Sequence, residues 1–103
     1  MTVDDFKKKL RNLEPGHVLT YHTGNLAQDR ANNETIDKVA ALALAVDELG
    51  YGACFQRRVP FMRSSFYYQV RVFSRLGMRQ DGNGSFQEIV RVAELKKGHF
   101  VED

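Results

Sequence analysis

The residues of this chain that could do chemistry fall in two places. Between Tyr51 and Gln80 there are six arginines, Arg57, Arg58, Arg63, Arg71, Arg75 and Arg79, and no acidic residue. Phosphate binding asks for cations whose neutralisation releases counterions, and the arginine fork adds two parallel bonds to phosphate oxygens. Phe55, Phe61, Tyr67 and Phe73 are interleaved with these arginines, and exposed rings stack on unpaired bases at roughly 1–3 kcal/mol each. Arg57, Arg58, Arg63, Tyr67, Arg71 and Arg75 are therefore the candidate contacts to nucleic acid, to a nucleoprotein or to a protein partner. A second reading stands beside it. Alternate arginines would line the wet face of an antiparallel sheet, the aromatics would be core, and Asp47, Glu88 or Glu94 would neutralise the charge.

The other place is "YHTGNLAQDR", residues 21–30. Catalysis there would need Tyr21, His22 and Asp29 to converge, with the histidine as base and the acid orienting it, beside a nucleophile. No nucleophile is marked. Gly24 belongs to no phosphate-cradling glycine pattern, because "HTGNLA" has neither a second glycine at the required spacing nor a following lysine. His17 and His22 lie five apart in a strand-like run and so face opposite ways, which disfavours a shared metal. The stretch reads instead as strand, tight turn and short helix: Asn25 caps, Leu26 enters the core, and Asp29 and Arg30 close the end with local charge pairs. Cys54, beside Phe55, reads as a small buried side chain. The expectation is a protein that is not an enzyme, with no cofactor and no metal; a small enzyme using His22 is the least favoured alternative.

These residues must be positioned by a fold, and 103 residues with 43% apolar and 11% aromatic content suffice for one core, so a single domain over 1–103 is expected. Fifteen basic and thirteen acidic residues nearly cancel, which makes the placement of charge, and not its sum, informative. One cysteine permits no internal disulfide. No apolar run approaches a membrane span, and "MTVDDFKKKL" lacks the apolar stretch of a signal peptide, so a cytoplasmic location without membrane attachment is expected.

Helical spacing of Val3, Phe6, Leu10 and Leu13 after Thr2 predicts a first helix, which Pro15-Gly16 stops. "HVLTYHT" predicts a strand up to Gly24-Asn25, and "NLAQDR" a short helix. Asn32 or Asn33 then caps the longest helix, with Ile36, Val39, Ala40, Ala43, Val46 and Leu49 on one apolar face and Gly50 and Gly52 as its stop. On that phasing Glu34, Asp37, Lys38 and Glu48 face solvent together with Ala41 and Ala45, a smooth acidic surface better suited to a protein than to bases. "YGACFQRRV" and "SSFYYQVRVFSRL" predict a hairpin in which Phe66, Tyr68, Val70 and Val72 alternate with Tyr67, Gln69, Arg71 and Phe73. Pro60 lies in its loop, with Arg63 at the tip. "DGNG" at 81–84 predicts a turn, and Ser85-x-x-Glu88 opens a last helix as a capping box, though Ile89, Val90 and Val92 also fit a strand.

The order helix, strand, short helix, long helix, strand, loop, strand resembles the winged helix-turn-helix fold over roughly residues 2–75. The resemblance is carried by Leu26-Ala27 in the second helix, Asn33 capping the third, and Leu49-Gly50-Tyr51 leading into the hairpin. It implies an α+β, winged-helix-like domain, with helices packed on a small antiparallel sheet and a basic β-hairpin, and DNA binding by the third helix. The acids on that helix argue against using it for bases. "YHTGNLAQDR" with "FQRRV" is also similar to small bacteriophage and prophage proteins, a likeness that implies no activity. The expected function is a small binding module for nucleic acid or nucleoprotein working through the hairpin. The alternative is a protein-binding adaptor or inhibitor of host-directed phage type, and a homodimer is compatible with either.

Overall fold

The computed structural model describes residues 1–77 and 84–95. Its described elements are α1 (Val3–Arg11), β1 (Leu19–Gly24), α2 (Leu26–Asn32), α3 (Glu34–Glu48), β2 (Gly52–Arg58), β3 (Phe66–Val72) and α4 (Ser85–Leu95). The class is α+β, as expected, and the hairpin joins two antiparallel strands of a three-stranded sheet ordered β1-β3-β2. Arg79 and the turn residues 81–83 lie outside the described residues.

Local chemistry explains the helix ends. Thr2 Oγ1 accepts from the Asp5 N–H at 3.1 Å, and α1 carries Asp4 and Asp5 in its first turn and Lys8, Lys9 and Arg11 in its last, which complements the helix dipole. Asn25 Oδ1 accepts from Gln28 N–H and Asn33 Oδ1 from Ile36 N–H, each at 3.1 Å, so each cap replaces one orphan acceptor-seeking amide of its helix. The exit of α3 is a Schellman turn: Tyr51 N–H reaches Val46 C=O and Gly50 N–H reaches Asp47 C=O, with Gly50 at φ +80°. Immediately after it, a Cβ on Gly52 would lie 2.0 Å from the Arg71 carbonyl oxygen and 2.8 Å from Val46 Cγ1, so only glycine lets the chain pass this close to β3.

The helices cover one face of the sheet. Val70 and Val72 of the central strand are fully buried with Phe6, Leu10, Val46 and Ile89 in one cluster that joins every described element. A bulge between Thr20 and His22 lets Tyr21 turn inward, where its ring meets Phe6 edge-on with centroids 6.0 Å apart. The last helix forms, but Ser85 and Glu88 do not make the predicted capping box: Ser85 is the first helical residue and its hydroxyl accepts from Gly77 N–H, and Glu88 accepts from the Tyr51 hydroxyl, so both tie α4 to the rest of the fold.

The exposed face predicted for the longest helix needs correcting. Ala41 and Ala45 are buried, and so is Asp37. α3 is enclosed by α4, α2 and the sheet, which leaves Ala41 and Ala45 no access to solvent. Asp37 is held inside by Arg30, whose Nε donates to Oδ1 at 2.8 Å. Of the face suggested for an adaptor, Glu34, Lys38 and Glu48 are exposed, whereas Asp37 and the two alanines are not. Ile36, placed on the apolar face, sits at the rim of the core.

Candidate nucleic-acid interface

The face of the sheet away from the helices is built by strand parity. Tyr68, Val70 and Val72 face inward, which sends Tyr67, Gln69 and Arg71 outward. The register then sets Arg57, Tyr67 and Thr23 in one row across the three strands, Phe55, Gln69 and Thr20 in the next, and Ala53 beside Arg71. Within the first row the Arg57 guanidinium carbon stands 5.3 Å from the Tyr67 ring centroid, a cation–π contact that holds both groups upright. In the second row Gln69 Nε2 donates to Thr20 Oγ1 at 2.9 Å, and the amide is nearly buried between its neighbours while Phe55 remains exposed. Arg71 is exposed and Phe73 continues the surface, 60% exposed.

The six sequence-predicted residues do not form one patch. Arg57, Tyr67 and Arg71 share the outer face. Arg58 has the opposite parity and belongs to the helical side of β2. Arg63 lies in the hairpin loop, which Val59 N–H to Ser65 C=O closes at 3.0 Å; Phe61 there is fully exposed at φ +65° and Met62 is exposed beside it. Arg75 lies past the other end of β3, about 20 Å away by strand length, and pairs with Glu14 at 3.4 Å. Among the described residues, Arg57, Arg58, Arg63 and Arg71 have no acid within ion-pair distance. The acids weighed as their partners are engaged elsewhere: Asp47 Oδ2 accepts from Cys54 N–H at 2.9 Å and Glu88 from Tyr51. Thr20, Thr23 and Gln69 join the candidate surface without having been singled out, although the alternation of β3 already put Gln69 between Tyr67 and Arg71.

The stretch 21–30 organises as strand, turn and capped helix. His22 Nε2 and Asp29 Oδ2 are 2.7 Å apart, linking β1 to α2, and a Cβ on Gly24 would sit 2.7 Å from that same oxygen. Asp29 and Arg30 thus pair with His22 and Asp37, not with each other. Tyr21 is buried on the core side, and burial pushes its hydroxyl pKa up. Burial, helped by the Asp47 charge, pushes the Cys54 thiol up to about 12, and its Sγ donates to Ala43 C=O at 3.0 Å. Neither group is poised as a nucleophile at neutral pH. His17 precedes β1 and stands apart from His22. Among the described residues, no group of three or more His, Cys, Asp or Glu side chains could hold a metal ion, and no helix is long and apolar enough to cross a membrane.

No protein-family model matches this chain significantly, and neither a curated protein nor a solved structure does.

Proposed function

We propose that this chain is a small non-enzymatic module that binds nucleic acid, single strands in preference to duplex, through the outer face of its sheet. The observation that carries this reading is the row in which Arg57 lies over Tyr67 on a face no described helix covers, with Phe55 and Arg71 beside it and, among the described residues, no acid within ion-pair distance of either arginine. Arginines tracking phosphates next to upright aromatic rings are the working parts of single-strand binding surfaces. The exposed hydroxyls of Thr20 and Thr23 add hydrogen-bonding groups of the kind that meet base edges and sugars, and the buried Gln69 amide holds Thr20 in place. Arg63 at the loop extends the positive charge beyond the strands.

The element order and the β1-β3-β2 sheet support a winged-helix-like reading of the fold. Under that reading the third helix is a poor reader of bases. Its exposed residues include Glu34, Asp47 and Glu48 against Lys38, and the latter pairs with Glu34 at 3.3 Å. Phosphate would be repelled there, so function moves to the hairpin.

The test is titration of the protein against a fluorescent single-stranded oligonucleotide and the matching duplex at two salt concentrations, repeated with Tyr67→Ala. The reading requires salt-sensitive binding that favours the single strand, and a loss of about 1–3 kcal/mol in the variant. Absence of binding at low salt, or a Tyr67→Ala protein that binds like the parent, overturns it.

A further inference from the structure

β2 is an edge strand, and its hydrogen-bond parity can be worked out. At its two ends Phe73 N–H donates to Tyr51 C=O and Val59 N–H donates to Ser65 C=O, so the odd-numbered residues of β2 exchange bonds with β3. The even-numbered residues point their N–H and C=O groups away from β3. Cys54 confirms the parity, because its N–H goes to Asp47 Oδ2. Asp47 thereby closes that end of the edge, and the N–H and C=O groups of Gln56 and Arg58, both exposed, form its open part.

A groove runs beside this open edge on the helical side, lined by Leu26, Ala27, Arg30, Leu44, Gln56 and Tyr68. Arg30 lines it as half of a closed ion pair, its Nε donating to Asp37 and its Nη2 buried without a hydrogen-bond partner among the described residues, so the cation offered beside the groove is Arg58. An extended chain laid along β2 would send alternate side chains into this groove, past Arg58, and the others over Phe55 and Arg57 on the outer side. Both sides of the added strand would meet arginine.

We propose that the open edge of β2 takes up an extended acidic segment of a protein partner, adding a fourth strand to the sheet. Charge selects the occupant. A second copy of this chain is disfavoured, because an antiparallel pairing of two β2 edges that uses both Gln56 and Arg58 sets the two Arg57 side chains directly opposite each other. Sliding the pairing by one bonded position toward Cys54 meets the N–H that Asp47 already holds. An acidic strand with apolar groups at alternate positions meets neither obstacle: its main chain satisfies the edge groups of Gln56 and Arg58, its apolar groups pack on Leu26, Ala27 and Leu44 along the stem of Arg58, and its carboxylates, all on the outer side, neutralise Arg57. This surface adjoins the outer sheet face proposed for nucleic acid, sharing Phe55 and Arg57 with it but not Tyr67 or Arg71.

The test uses a labelled synthetic peptide alternating glutamate with valine, followed by fluorescence anisotropy, with a lysine-for-glutamate peptide as control. Saturable binding of the glutamate peptide alone is expected, with amide shifts in the NMR spectrum centred on Gln56 and Arg58. Gln56→Pro removes one outward N–H without touching the β3 ladder, a change edge strands tolerate, and should weaken the peptide about tenfold. Should that variant misfold, Arg57→Glu serves instead, and it should reverse the preference toward the lysine peptide. Arg71→Ala should leave peptide binding unchanged while lowering oligonucleotide binding, which separates failure of this inference from failure of the nucleic-acid reading. No saturable binding of the glutamate peptide, equal binding of both peptides, or a folded Arg57→Glu protein that keeps the parent's preference overturns the proposal.

Discussion

Replacing Asp37 by alanine should be among the most damaging single changes in the molecule, although the helix phasing alone would class it as a surface carboxylate. Asp37 is 1% exposed and its Oδ1 takes the Arg30 Nε at 2.8 Å. The arginine side chain is itself only 13% exposed, and its Nη2 already lacks a partner among the described residues. Removing the carboxylate therefore leaves a guanidinium nearly out of water with nothing to neutralise it, which costs about 3–5 kcal/mol. Domains of this kind hold only about 5–15 kcal/mol in total. With a urea slope of about 2 kcal/mol per molar, the unfolding midpoint should fall by roughly 2 M. Urea unfolding followed by far-ultraviolet circular dichroism measures this directly. Arg30→Met combined with Asp37→Leu should recover most of the loss, because replacing a buried pair by apolar groups is often close to neutral. A single Asp37→Ala change that costs less than about 0.5 kcal/mol, the range for surface substitutions, would falsify the burial argument.

Two further outcomes follow from the same packing. Gly52→Ala should destabilise the fold by about 2 kcal/mol or more, since its Cβ has only the Arg71 backbone and Val46 to move into; an unchanged melting temperature would contradict the close approach of β2 to β3. Cys54 should be alkylated far more slowly in the native protein than in urea at pH 8, because its thiol is raised to about 12 by burial. With the folded value above the unfolded one, that thiol's share of stability is full below the ordinary thiol range and is lost as pH climbs toward 12, a dependence that Cys54→Ala should reduce.

Much of this architecture is legible locally. Thr2, Asn25 and Asn33 announce helix starts because a short oxygen acceptor placed before an apolar periodicity satisfies the orphan amides, and Gly50 announces the end of α3 because its positive φ suits glycine. The wet and dry sides of β3 follow from alternation. What is not legible depends on contacts between distant segments. The burial of Ala41, Ala45 and Asp37 requires knowing that α4 returns to cover α3 and that Arg30 turns inward. Arg75 looks like a sixth member of the basic cluster until Glu14, far away in the chain, is found beside it. Arg57 and Arg58 are neighbours in sequence and on opposite sides of the sheet, so a count of arginines overstated the patch and parity divides it.

The most direct test of the central claim is the salt dependence of single-strand binding in the Arg57→Ala, Arg71→Ala double variant, with Arg75→Ala as comparison. Each phosphate contact on a single strand contributes about 0.7 to the slope of log affinity against log salt, so the double variant should flatten the slope by about 1.4 while unfolding as the parent does. Arg75→Ala, whose side chain pairs with Glu14 at the far end of the sheet, should change neither slope nor affinity. Equal effects from both variants, or a parent whose retention of the oligonucleotide does not respond to salt, would contradict the assignment of the outer sheet face as the nucleic-acid surface.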